Sequence, residues 1–197
     1  RSGLLPFLWD APGTYERYVE WALDVPMFML KRGDRVFRNA GQTFRDYLRD
    51  GFQGLTATRD DWETHLNSLF PEARLKKTLE LRGADAQQTP LLGALPALWK
   101  GLLYDADALD AAESLASRLD HATVEAARPA IAEHGLRADL AGRPVAEWGL
   151  EMLELARAGL ARLDCRDRQG RQETVHLDPL LALAERAETP ADALLAR

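Results

Sequence analysis

The chain has 197 residues, of which 46% are hydrophobic and 28% charged, with a formal net charge of −6. That length and balance allow one good core or two small ones and exclude a disordered polymer, and the acidic balance repels nucleic acid and anionic membrane, so neither is an expected partner. The single cysteine, Cys165, excludes an intrachain disulfide and a cysteine-based zinc site, and fits a reducing, cytoplasmic setting. The longest uncharged run, near residues 89–99, is far too short to span a bilayer. The chain opens Arg-Ser-Gly without an initiator Met, so residues upstream are expected.

Residues 13–24 read as a helix, capped by Thr14, with Tyr15, Tyr18, Val19 and Ala22 at helical spacing and Pro26 as the break. Met27 to Phe37 reads as a strand pair around a Gly33-Asp34 turn, and Thr43 to Arg49 as a short helix that ends near Gly51. Residues 60–70 carry Trp62, Leu66, Leu69 and Phe70 on one apolar helical face, with Asp60 and Glu63 as the capping signal and Pro71 as the stop. Residues 91–103 form a very apolar helix that Pro96 starts or kinks. From residue 106 Ala, Leu, Glu and Arg dominate, and helices are expected near 106–119, 121–134, 144–163 and 178–187, with a last turn from Pro190. The class is α+β, with residues 1–105 as a sheet domain and 106–197 as a helical layer packed on it.

The stretch from Arg74 to Arg82 is the most informative. Even positions read Arg74, Lys76, Thr78, Glu80 and Arg82, and odd positions Leu75, Lys77, Leu79 and Leu81. Period two implies a single strand, with the even side chains on one face roughly 6–7 Å apart. Cations on such a face neutralise phosphate oxygens, and arginine does so with two prongs. A carboxylate among them can hold Mg²⁺, a hard ion that takes oxygen ligands. The competing reading is a solvated outer face, the ordinary case for a charged strand.

The words around this strand add to the pattern. Residues 61–76 (DWETHLNSLFPEARLK), 79–85 (LELRGAD), 95–105 (LPALWKGLLYD) and 18–27 (YVEWALDVPM) closely resemble the plant and proteobacterial class of glutamate–cysteine ligases, in the family's order. Strong resemblance covers roughly residues 13–105. It implies a partial carboxylate–amine ligase fold of the glutamine-synthetase type: an antiparallel sheet curved into a bowl with helices outside. It also implies a reaction, in which ATP phosphorylates the γ-carboxylate of L-glutamate and the amine of L-cysteine attacks the acyl phosphate, the first step of glutathione synthesis. By the same resemblance Glu80 is the Mg²⁺-binding glutamate and Arg82 the catalytic arginine directed at the transferring phosphoryl group. Arg74 and Lys76 are assigned to substrate or phosphate charge, and Tyr18 to the cysteine pocket. The family's further metal-binding carboxylates lie in an N-terminal half absent from this sequence, so that half is an expected partner and the 197-residue chain alone is expected to be inactive. Plant members carry cysteine pairs for redox control. The corresponding region here offers Val36, Gly51 and Gly93 and no cysteine, so that switching is not expected in this segment. Two alternatives stay open: a non-catalytic fragment, and a related glutamate–amine ligase with a different acceptor.

Other residues carry blander expectations. His65 borders an apolar face and reads as a packing or hydrogen-bonding histidine; His121, His134 and His176 read as surface or capping residues. Trp62, Trp99 and Trp148 read as core. No P-loop, dinucleotide fingerprint or nucleophile elbow occurs.

Overall fold

The computed structural model describes residues 1–10 and 15–195; the expected helix start at Gly13 and cap at Thr14 lie outside the described residues. The elements run β1 (Ser2–Gly3), α1 (Tyr15–Asp24), β2 (Met29–Arg32), β3 (Arg35–Arg38), α2 (Phe44–Asp50), α3 (Arg59–Asn67), β4 (Phe70–Pro71), β5 (Ala73–Leu75), β6 (Leu79–Leu81), α4 (Ala94–Leu103), α5 (Ala106–Ala116), α6 (His121–His134), β7 (Asp139–Leu140), β8 (Arg143–Pro144), α7 (Val145–Leu163), α8 (Asp178–Glu185) and α9 (Pro190–Leu195). This is an α+β chain of helices and small two-stranded sheets. It divides into two compact units, Arg1–Ala84 and Asp85–Arg197. The apolar helix α4 therefore lies in the second unit, whereas composition alone draws a division at residue 105. Among the described residues no helix is long and apolar enough to cross a membrane.

In the first unit β2 and β3 form the expected hairpin around Gly33 and Asp34, with Leu30 opposite Phe37. Leu30, Met27, Phe44 and Tyr47 are buried together under Trp62. Ala22, Val25 and Leu69 form a second cluster that shares Trp62, so that ring joins the two. Helix α2 begins where Thr43 Oγ1 accepts the Asp46 N–H. It ends at Gly51, whose positive φ of 69° and close approach to Leu55 O leave no room for a side chain.

Two expectations about α3 need correction. Its capping box is Thr58 with Asp61, not Asp60 with Glu63. Asp61 is buried because it also accepts from Arg32 on β2 (Nη2 to Oδ2, 2.7 Å) and from Thr58 Oγ1 (2.8 Å). Burial pushes the Asp61 carboxyl up, but those hydrogen bonds, led by Arg32, outweigh it and leave the group below its ordinary value. The helix also stops at Asn67, so Leu69 and Phe70 are not on its face. Pro71 disfavours a helical residue before it, and Phe70 instead joins β4, which pairs parallel with β1.

The single strand expected over residues 74–82 is a hairpin. Strands β5 and β6 pair antiparallel, with Arg74 opposite Glu80 and Leu75 opposite Leu79. Lys76, Lys77 and Thr78 make the turn, closed by the Lys76 N–H on Thr78 O at 3.0 Å. Lys77, the one residue that breaks the alternation, lies in that turn. Glu72 links this hairpin to β1: its N–H donates to Gly3 O (2.9 Å) and its carbonyl accepts the Arg82 N–H (2.8 Å).

The second unit is helical, as its composition requires. Asp105 and Asp120 cap α5 and α6 by accepting the Ala108 and Thr123 N–H groups. Its core gathers Ala97 and Leu102 from α4, Leu153, Ala156 and Leu160 from α7, and Leu177 and Ala184 near α8. Trp99 packs against this cluster, and the Trp148 indole donates to Leu140 O at 3.0 Å. Pro96 falls in the first turn of α4, where no intrahelical donor is missed. Helices α4 and α7 cross so closely that a Cβ on Gly101 would strike Ala156 O, and one on Gly159 would strike Gly101 O. Gly159→Ala should cost about 3 kcal/mol, the upper end for overpacking, because the opposing atom is backbone; chemical denaturation of the variant measures it.

His65 meets its expectation as a buried, hydrogen-bonding residue between α1 and α3. Its Nε2 lies 2.8 Å from Ala22 O; a carbonyl only accepts, so Nε2 carries the proton and the buried Nδ1 is left bare. Burial holds its pKa below the ordinary value. The unfolded chain therefore takes up the proton first, so stability is complete above about pH 6.5 and declines as the pH falls below it. In His65→Gln the loss of urea midpoint between pH 6.5 and 5 should shrink.

Candidate functional site

The β5–β6 hairpin brings four of the five sequence-predicted site residues together. Antiparallel pairing puts Arg74 and Glu80 on the same face. Arg74 is buried, at 7% exposure. Its Nε and Nη2 both reach Glu80 Oε2, at 2.8 and 2.6 Å. Its Nη1 donates to Leu69 O at 3.1 Å and Asn67 O at 3.4 Å, carbonyls left over at the end of α3. Arg82 approaches the same Oε2 from solvent, Nη1 at 3.4 Å, and Lys76 Nζ stands 3.6 Å from the other oxygen, Oε1. Hydrogen bonding by Arg74, aided by the Lys76 and Arg82 charges, holds the Glu80 carboxyl below the ordinary range.

Sequence reasoning missed Phe70. Its ring lies under both guanidinium groups, 5.7 Å from Arg74 and 5.3 Å from Arg82, so it orients two cations at once. The signal is an aromatic residue directly before Pro71, which apolar periodicity alone assigns to the helical face of α3.

Tyr18 lies on the other side of the hairpin. It is buried on α1, its hydroxyl has no hydrogen-bond partner, and burial pushes its pKa up. With Leu5, Phe7, Leu8, Tyr15, Ala73, Leu75 and Leu79 it lines a mostly apolar cavity of about 410 Å³. The hairpin thus has a charged face and an apolar face that serve different surroundings.

Three cations around one carboxylate carry a net +2, which attracts an anion. For a divalent cation the donor set is small. Among the described residues no three His, Cys, Asp or Glu side chains converge on one point. Glu80 Oε1, however, receives nothing closer than Lys76. The residues therefore fit one carboxylate's share of a magnesium–phosphate complex, the usual way this ion is held, and not a complete cage. The remaining histidines do not contribute: His134 and His176 are exposed, and His121 starts α6. Cys165 is exposed.

The hairpin of this α+β protein thus gathers net positive charge around one carboxylate, an arrangement suited to attracting an anion. The chain is a member of the Glutamate-cysteine ligase family 2 (GCS2), whose sequence pattern it matches over residues 1–197. It is 37% identical over 198 residues to glutamate–cysteine ligase A, chloroplastic, of Oryza sativa subsp. indica, covering 99% of this chain and 39% of that protein. Glutamate–cysteine ligase, chloroplastic, of Arabidopsis thaliana is 37% identical, and that of Brassica juncea 36%, each over 99% of this chain and 37% of the relative. The chain thus spans less than two fifths of the length of these relatives. Their chloroplastic names overturn the cytoplasmic setting expected above. An unpaired cysteine separates reducing from oxidising surroundings and does not distinguish one reducing compartment from another.

Glu80→Gln is not the silent change that its shape suggests, because it leaves the buried Arg74 guanidinium without its counter-charge. The thermal midpoint should fall at pH 7. Since the Glu80 carboxyl is depressed in the folded state, its contribution is present above the ordinary carboxyl range and lost below it. The midpoints of wild type and Glu80→Gln should therefore converge as the pH drops below about 4.

Proposed function

We propose that this chain is part of an ATP-dependent ligase that joins the γ-carboxylate of L-glutamate to the amine of L-cysteine. The observation that carries the reading is the shared face of Glu80 and Arg82, on a chain that belongs to this family throughout its length. In this reading the first half-reaction transfers the γ-phosphoryl group of ATP to the glutamate γ-carboxylate, giving γ-glutamyl phosphate and ADP. The cysteine amine then attacks the acyl carbon, an amide bond forms, and inorganic phosphate leaves.

Arg82 lies half-exposed over Phe70, with its guanidinium donors mostly unengaged, and is assigned to the equatorial oxygens of the moving phosphoryl group. Lys76, on the exposed turn, adds a second cation on a long side chain. A magnesium ion held at Glu80 would supply neutralisation of the phosphate charge. Tyr18 and its cavity are assigned to the acceptor. That cavity is larger than a cysteine side chain needs, which favours testing other amines as well. The finer fold reading, a bowl-shaped sheet of the glutamine-synthetase type, belongs to the longer chain together with its further carboxylates. The 197-residue segment alone is read as inactive, since one carboxylate does not complete a metal site.

The test uses the full-length gene product, with phosphate release measured from ATP and glutamate plus each of several amines. Cysteine-dependent release is expected, and Arg82→Lys should lower kcat at least about 100-fold, because lysine lacks the planar fork. Release that ignores cysteine, or a lysine variant near wild type, would overturn the reading.

A further inference from the structure

The two oxygens of Glu80 are not equivalent. Oε2 receives Arg74 Nε and Nη2 and, more distantly, Arg82 Nη1. Oε1 has only the Lys76 ammonium, at 3.6 Å, beyond hydrogen-bond range. The partners also differ in freedom. Arg74 is buried and anchored on two backbone carbonyls, so its fork cannot swing away without leaving Asn67 O and Leu69 O unpaired. Lys76 is exposed at the start of a three-residue turn and carries a flexible stem.

We propose that Arg74 is a positioning residue, which fixes Oε2 toward the protein so that Oε1 is the one oxygen offered to a metal–nucleotide complex, and that Lys76 is the exchangeable cation lying over Oε1 until that complex arrives. Arg74 is therefore not a phosphate ligand, the role first assigned to it. Four of its five N–H donors are already directed at Glu80, Asn67 and Leu69. Lys76 keeps a phosphate role, but in exchange: with Oε1 given over to a metal, its ammonium would be free to pair with a phosphate oxygen. No covalent bond changes, and the charge near Glu80 stays balanced because the entering metal brings its phosphate anions.

The inference rests on the ligase reading, and the experiment separates the two. Binding of Mn²⁺ to the full-length protein is followed by electron paramagnetic resonance of the free ion, with and without an ATP analogue that has a non-hydrolysable β–γ bridge. Arg74→Lys keeps the charge but loses the fork, and should weaken Mn²⁺ binding with the analogue at least tenfold. Lys76→Met, at an exposed turn position, should change affinity in opposite directions: at least threefold tighter for Mn²⁺ alone, and weaker for Mn²⁺ with the analogue. A residue with only a structural role would lower the melting temperature and leave both affinities unchanged. If the wild type binds Mn²⁺ with the analogue and neither variant alters it, the positioning proposal is wrong while the ligase reading stands. A wild type that does not bind sinks both. Should Arg74→Lys fail to fold, the sign reversal in Lys76→Met decides alone, and a same-direction change refutes the exchange.

Discussion

The buried fork of Arg74 on Glu80 is the interaction on which the first unit's charged face depends. A guanidinium at 7% exposure is tolerable only because a carboxylate and two backbone carbonyls meet it. The same side chain closes the end of α3 and ties it to β5 and β6. One group therefore sets the register of the hairpin against the helix and the direction in which Glu80 faces. Phe70 supports it from below and extends the same support to Arg82. The charged face is a consequence of packing as much as of charge.

Much of this fold can be read from the sequence, and the failures have physical causes. Helices α5 to α8 follow from apolar periodicity bounded by Asp105, Asp120 and Pro179, signals that lie within the segments themselves. The α3 boundaries were missed because they depend on distant partners: Asp61 caps from a buried position held by Arg32 on β2, and Phe70 leaves the helix to pair with β1. The strand over residues 74–82 has the right period and the wrong connectivity, since alternation survives when a hairpin folds back on itself. Lys77 was the local sign of the turn. At the site, the cast of charged residues was legible, but their division of labour was not. Which arginine is buried depends on carbonyls and an aromatic ring contributed by α3 and β4, and period-two reasoning does not include them.

The second unit answers a different constraint. Gly101 and Gly159 let the backbones of α4 and α7 touch, and Ala97 and Ala156 surround that crossing with small side chains. The alanine-rich composition that signals helix also sets the distance between helices. Larger residues, Leu102, Leu153 and Leu160, fill the spaces on either side. The second unit is thus held by close backbone approach in addition to apolar area.

The Arg74–Glu80 contact spans only six positions along the chain. Closing so short a loop costs little entropy, and loops of this size close in well under a microsecond. The charged cluster therefore belongs to the part of the molecule that organises locally, as soon as α3 offers its terminal carbonyls. During synthesis the guanidinium can find its carboxylate before the second unit, residues 85–197, has been made, so the nascent first unit already carries its anion-attracting turn.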